Sequence, residues 1–227
     1  MTGYIKAVLF DLDDTLYDER TFVISGFRAV VAYVADRFPV DEQGIFLTMM
    51  EVLSTEGRGK VFDKALDRYG LYSPALVEEL VGVYRSHQPQ ITLYPDVIPV
   101  LATLKEYGVK LGIVTDGLHS VQKRKIEALG LEGLVDVIVY TDELGPNHWK
   151  PDPTGFLHAL ERLAVQPTEA AYVGNDPSKD FAGPKAIGML PVHLKRNDNL
   201  IEETDCEAEV HITELAELLQ LFNLIHH

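Results

Sequence analysis

Ile5-Lys6-Ala7-Val8-Leu9-Phe10-Asp11-Leu12-Asp13-Asp14-Thr15-Leu16 runs apolar and then stops at three carboxylates within four positions. Side chains alternate along an extended backbone, which puts Asp11 and Asp13 on one side of it. Like charges this close repel and raise each other's pKa. A cation relieves them, and hard carboxylate oxygens suit Mg²⁺. The competing reading is a strand that runs into a solvated acidic turn. The rest of the sequence decides between the two.

Short apolar runs rich in β-branched residues recur at 110–115, 137–140, 170–174 and 190–194, after the first at 5–10. Runs of this kind read as strands buried on both faces. Amphipathic helices are expected between them at 95–107, 120–129, 153–163 and 180–187, and Gly108 and Gly130 stand where helices end. The alternation predicts an α/β fold, a doubly wound (Rossmann-like) parallel sheet core covered by helices. From about 21 to 88 the alternation breaks, and only helices are expected, at 21–37, 41–56, 61–69 and 74–86. Residues 1–17 plus 93–227 are therefore expected to form the core, and 18–92 an inserted all-helical cap over the sheet's carboxyl edge. Its hinges would be Tyr17-Asp18 and Tyr94-Pro95.

The chain has 227 residues, 46% of them hydrophobic, enough for a real core. Its formal net charge of -15 repels nucleic acid phosphates and anionic lipid, so neither is an expected partner. Any phosphate site must then be locally cationic. Cys206 is the only cysteine, which excludes an internal disulfide. No signal peptide and no stretch near the ~20 apolar residues of a membrane span is found, so a cytoplasmic protein, monomer or homodimer, is expected. His226-His227 are given no function.

In doubly wound sheets ligands bind beyond the carboxyl ends of the strands. Four pieces of this sequence should meet there: Asp11, Asp13 and Thr15; Thr115-Asp116-Gly117; Lys150-Pro151-Asp152; and Gly174-Asn175-Asp176 with Asp180 one turn on. In order and spacing they resemble the four signature motifs of the haloacid dehalogenase-like hydrolases, over nearly the whole chain. The helical insertion resembles that family's cap between the first and second motifs. The resemblance implies a phosphatase, and it implies that Asp13 offers Mg²⁺ its main-chain oxygen. One position departs from the pattern. Many relatives read Gly-Asp in the fourth motif, where here Asn175 follows Gly174 and Asp176 comes next. Asp176 is the expected metal ligand, because a carboxylate balances Mg²⁺ better than an amide. Asn175 is the alternative.

Each piece has a chemical part. Asp11, at the strand end, can attack phosphorus and form an acyl phosphate. Asp13 can protonate the leaving alkoxide and later deprotonate water. Thr115 and the Gly117 amide can donate to phosphoryl oxygens, with Thr15 and Asp116 beside them, and Lys150 supplies fixed positive charge. Asp180 is expected to orient ligands from behind. The reaction expected is Mg²⁺-dependent hydrolysis of a small phosphomonoester, a sugar phosphate or nucleoside monophosphate. A phosphomutase, a 2-haloacid dehalogenase and a non-catalytic binding protein are the alternatives. Lys123-Arg124-Lys125 is expected to be a solvated helix face, Trp149 a packing residue, and Gly57-Arg58-Gly59-Lys60 an interhelical turn.

Overall fold

A computed structural model describes residues 5–196 and 207–224. Cys206 and His226-His227 lie outside them. The strands, in chain order, are β1 (Ala7–Phe10), β2 (Lys110–Thr115), β3 (Val137–Tyr140), β4 (Ala170–Gly174), β5 (Leu190–Leu194) and β6 (Val210–Ile212). The helices are α1 (Glu19–Ala35), α2 (Glu42–Glu56), α3 (Val61–Arg68), α4 (Pro74–Ser86), α5 (Val97–Glu106), α6 (His119–Ala128), α7 (Thr154–Leu163), α8 (Ala182–Ala186) and α9 (Glu217–Leu221). The described chain divides into two compact units, Met1–Glu19 with Thr92–His227, and Arg20–Ile91.

The first unit is a parallel sheet with strand order β3-β2-β1-β4-β5-β6 and helices on both sides. Parallel neighbours need crossover connections, and helices supply them. The two faces follow from side-chain alternation. Ala7 and Leu9 of β1 pack with Phe156, Ala159, Leu160 and Leu163 of α7, while Val8 and Phe10, equally buried, fill the other face. Gly112 of β2 is required by this packing: a Cβ there would come within 2.6 Å of Leu9 and 2.7 Å of Val137. After β3 the chain crosses back to place β4 on the far side of β1. Strand order thus reverses between β1 and β4, and the carboxyl ends of these two strands flank the crevice where such sheets bind ligands.

Three elements differ from the sequence expectation. The helix expected over 180–187 is only Ala182–Ala186, because Asp180 is drawn out of it by bonds to the amides of Asn175 and Asp176. Strand β6 and helix α9 were not anticipated; three and five residues are too short for a period to register. The start of α9 is organised by Glu217, whose carboxylate accepts from Thr213 and Glu214 amides.

The second unit holds α2, α3, α4 and nearly all of α1. Asp41 caps α2 by accepting from Gln43 and Gly44 amides, and Ser73 caps α4 from Leu76, with Pro74 pre-set for the first turn. Its core gathers Phe27, Val30, Val34, Ile45, Met49, Leu66 and Leu80. Gly57-Arg58-Gly59-Lys60 is an interhelical turn, as expected, with a 3₁₀ turn over Arg58–Lys60. Among the described residues no helix is long and apolar enough to cross a membrane.

Phe156 is fully buried and meets the Tyr172 ring edge-on at 4.8 Å. Phe156→Ala is expected to cost about 3–5 kcal/mol in urea unfolding; a loss below about 1 kcal/mol would contradict this packing.

Candidate active site

Asp11 is held before its side chain does anything. Its amide donates to the Val173 carbonyl at 2.9 Å, extending the β1–β4 ladder by one rung. The carboxyl is buried, at 2% exposure. Lys150, from the loop after β3, reaches it with Nζ at 2.5 Å from Asp11 Oδ1, and with 2.8 Å to Asp180 Oδ1 and 3.0 Å to the Tyr172 hydroxyl. Tyr172 in turn donates to Asp180 Oδ1 at 3.1 Å. The Lys150 amide is fixed by donating to Asp116 Oδ1, which also accepts from the Thr141 hydroxyl. Asp180 is fully used: its Oδ2 accepts from the amides of Asn175 and Asp176 at 3.1 and 2.9 Å. Only glycine fits at 174, since a Cβ would stand 2.5 Å from that oxygen.

Burial pushes the Asp11 carboxyl up to about 7, with the Asp180 charge adding and Lys150 pulling the other way. Burial alone would lower Lys150, but the carboxylates of Asp11 and Asp180 outweigh it and hold the ammonium well above the ordinary lysine value. Lys150 therefore stays charged, and it satisfies one oxygen of Asp11. The other, Oδ2, is buried without a hydrogen-bond partner. Such an orphan costs stability wherever nothing binds it.

Asp13 sits in a different charge environment. Lys125 Nζ lies 2.7 Å from its Oδ1 and 2.9 Å from its Oδ2. The Tyr17 hydroxyl donates to Oδ1 at 2.5 Å and Gln122 Nε2 to Oδ2 at 3.0 Å. Burial would raise this carboxyl, but Lys125 and the two other donors outweigh it and hold it below its ordinary value. The solvated face expected at Lys123-Arg124-Lys125 is thus corrected at Lys125, which is 3% exposed. Lys123 does face solvent and lies 4.0 Å from Glu127. Gln122 and Lys125 were missed because nothing in a helical run tells which polar side chain turns inward, and Tyr17, between β1 and α1, because nothing in the sequence aims its hydroxyl at Asp13. The only available signal was the three-residue spacing of Gln122 and Lys125, which puts them on one face.

The remaining residues frame these two carboxylates. Gln122 joins Asp13 to Thr115, whose buried hydroxyl it contacts at 2.6 Å. Gly117 has φ 116°, a conformation that side chains rarely adopt. The Thr15 hydroxyl donates to Asn175 Oδ1 at 3.2 Å. The Thr15 carbonyl accepts from Arg196, which also pairs with both oxygens of Asp96. Asp176 Oδ1 accepts from the Ser178 amide and hydroxyl, and Lys179 stands 3.8 Å from Oδ2. Trp149, expected to pack, is 38% exposed, and His148 beside it lies 3.3 Å from Asp152.

Among the described residues no three His, Cys, Asp or Glu side chains gather closely enough to hold a metal by themselves. Mg²⁺ does not need such a cage; it binds through one or two carboxylates and keeps waters and substrate oxygens. The unpartnered Asp11 Oδ2 leaves this carboxylate open to a ligand of that kind.

A family model described as haloacid dehalogenase-like hydrolase matches residues 5–188. The chain belongs to that family. It is 38% identical over 199 residues to a glyceraldehyde 3-phosphate phosphatase of Methanopyrus kandleri, covering 85% of this chain and 84% of that protein. It is 31% identical over 224 residues to one of Methanocaldococcus jannaschii, covering 96% of each. Among solved structures, a haloacid dehalogenase-like phosphatase from Thermococcus onnurineus superposes with a TM-score of 0.64 at 31% identity, over 96% of this chain and 97% of that one.

Within this haloacid dehalogenase-like core, Lys150→Met removes the counter-charge of two buried carboxylates. In metal-free buffer it is expected to cost about 3–5 kcal/mol at pH 8. Asp11 has a folded-state pKa above its unfolded one, so the folded protein binds the extra proton and stability falls as pH rises from about 4 through about 7. The cost of Lys150→Met should therefore be smaller at pH 5, where Asp11 takes up a proton. Equal losses at both pH values in urea unfolding would contradict the assignment.

Proposed function

We propose that this chain is a metal-dependent phosphatase that hydrolyses a small phosphomonoester through a phosphoryl group carried on Asp11. One observation supports this most: a buried carboxylate with one oxygen fixed on Lys150 and the other without a partner. A nucleophile needs such a combination, because orientation is set while a lone pair stays available. In the first step Asp11 Oδ2 bonds to phosphorus, the ester P–O bond breaks, and the leaving oxygen takes a proton from Asp13. In the second, water bonds to phosphorus and gives a proton to Asp13, and the Asp11–phosphorus bond breaks to release orthophosphate. Lys150 keeps a positive charge beside Asp11 throughout. Thr115 and the Gly117 amide are the proposed donors to phosphoryl oxygens, with Thr15 and Asp116 bracing the loops that carry the reactive groups.

Asp11, the Asp13 carbonyl and Asp176 would hold Mg²⁺, with Asn175 as the alternative to Asp176. When bound, the metal would offset the repulsion between carboxylate and phosphoryl group and polarise phosphorus. Asp180 would act from behind, as the brace of Lys150 and of the Asn175-Asp176 loop. Residues 18–92 would serve as a cap that selects the leaving group and excludes water.

The substrate class proposed rests on the relatives. Two proteins similar over four-fifths or more of this chain are named glyceraldehyde 3-phosphate phosphatases, so a short phosphorylated sugar is the first substrate proposed. The phosphatase reading departs from a dehalogenase at Asp13: a halide leaves without a proton, and a held acid–base group would have no use.

A panel of triose, pentose and hexose phosphates, nucleoside monophosphates and 2-haloacids tests the reading. Turnover of a sugar phosphate with Mg²⁺ is expected, with loss in excess EDTA and loss on the order of 10³-fold or more in Asp11→Asn. Full activity in EDTA, or in Asp11→Asn, would overturn the scheme, and turnover of haloacids alone would replace it.

A further inference from the structure

Helix α6 commits two polar side chains to one carboxylate. Gln122 and Lys125 are 2% and 3% exposed, and both bond to Asp13, Lys125 through both oxygens and Gln122 through Oδ2. Tyr17, also buried, adds a donor to Oδ1. Each oxygen of Asp13 thus accepts from two donors. Burying an ammonium is costly unless its partner matters, and a lysine that only covered a helix would stay in solvent. Lys123, on the same helix, has half of its side chain in solvent. The same Gln122 also contacts Thr115 Oγ1 at 2.6 Å, so one residue ties the proposed acid–base group to a proposed phosphoryl-binding hydroxyl.

We propose that Gln122 and Lys125 are positioning residues for leaving-group protonation: they hold the Asp13 carboxyl in the one orientation from which it gives up and regains its proton. The inference rests on the phosphatase reading above and extends it to residues with no other assigned role. In the first step the P–O ester bond breaks, a bond from Asp11 to phosphorus forms, and the Asp13 proton moves to the departing oxygen. Negative charge that would sit on an alkoxide passes to the Asp13 carboxyl. Donors already aimed at that carboxyl keep it in place through the transfer. In the second step water returns a proton to Asp13 and the group is reset.

The role has a signature that a structural role lacks. An alkoxide needs a proton to leave and p-nitrophenolate does not. kcat/KM reports the steps up to and including ester cleavage, so a misplaced Asp13 should penalise alkyl esters selectively. The experiment measures kcat/KM for wild type, Lys125→Met and Gln122→Leu on a series from p-nitrophenyl to alkyl phosphates, with Mg²⁺ saturating and folding checked by circular dichroism. The ratio of p-nitrophenyl to alkyl activity is expected to rise about tenfold or more in Lys125→Met, and by a smaller factor in Gln122→Leu. If Lys125→Met does not fold, Gln122→Leu carries the test. A parallel fall across the series, or no change in a folded variant, would overturn the proposal. A wild-type protein inert toward every ester would sink the phosphatase reading and this inference with it.

Discussion

A single buried ammonium organises the centre of this protein. Lys150 joins Asp11 at the end of β1 to Asp180 in the loop after β4, with the Tyr172 hydroxyl as a third contact. Residues from three distant stretches of sequence are thereby locked across the point where strand order reverses. An ion pair of this kind is a poor source of net stability, since desolvation offsets most of the Coulomb attraction. What it provides is position. It fixes one oxygen of Asp11 and leaves the other without a partner in the protein. The fold accepts a stability cost at that atom, as functional sites often do.

The acidic run after β1 is tolerated because its charges are separated. Asp11 is matched to Lys150, Asp13 to Lys125, and Asp14 accepts from the Glu19 amide at the start of α1. Two neighbouring aspartates so acquire opposite tendencies, one carboxyl raised by burial and the other held down by a lysine. The two carboxyls therefore do not compete for one counter-charge. In a chain of net charge -15, most of the useful electrostatics is local: two buried lysines set the potential where it counts.

The core was legible because its strands are short, apolar and evenly punctuated, and parallel sheets advertise themselves in that way. Strand ends then dictated which loops share an edge, so Asp11, Lys150 and Asp180 could be read as neighbours from topology alone. Short terminal elements such as β6 and α9 were not legible, since three to five residues hold no period. Nor was the inward turn of Lys125: its burial depends on the rotation of α6 against the first loop, and a basic triplet on a helix looks the same from either side. Tyr17 escaped for a related reason, reading as a hinge residue until its hydroxyl is seen on Asp13. Sequence patterns show which backbone is buried more readily than which polar group is buried with it.

The central claim is that Asp11 carries the phosphoryl group during turnover. Rapid acid quench of the enzyme with its sugar phosphate, followed by peptide mass mapping, tests it directly. A phosphoryl group on the peptide containing Asp11, lost again on the timescale of turnover, is the expected result. Turnover with no phosphorylated peptide above background, or with the label on a histidine or serine elsewhere, would contradict it.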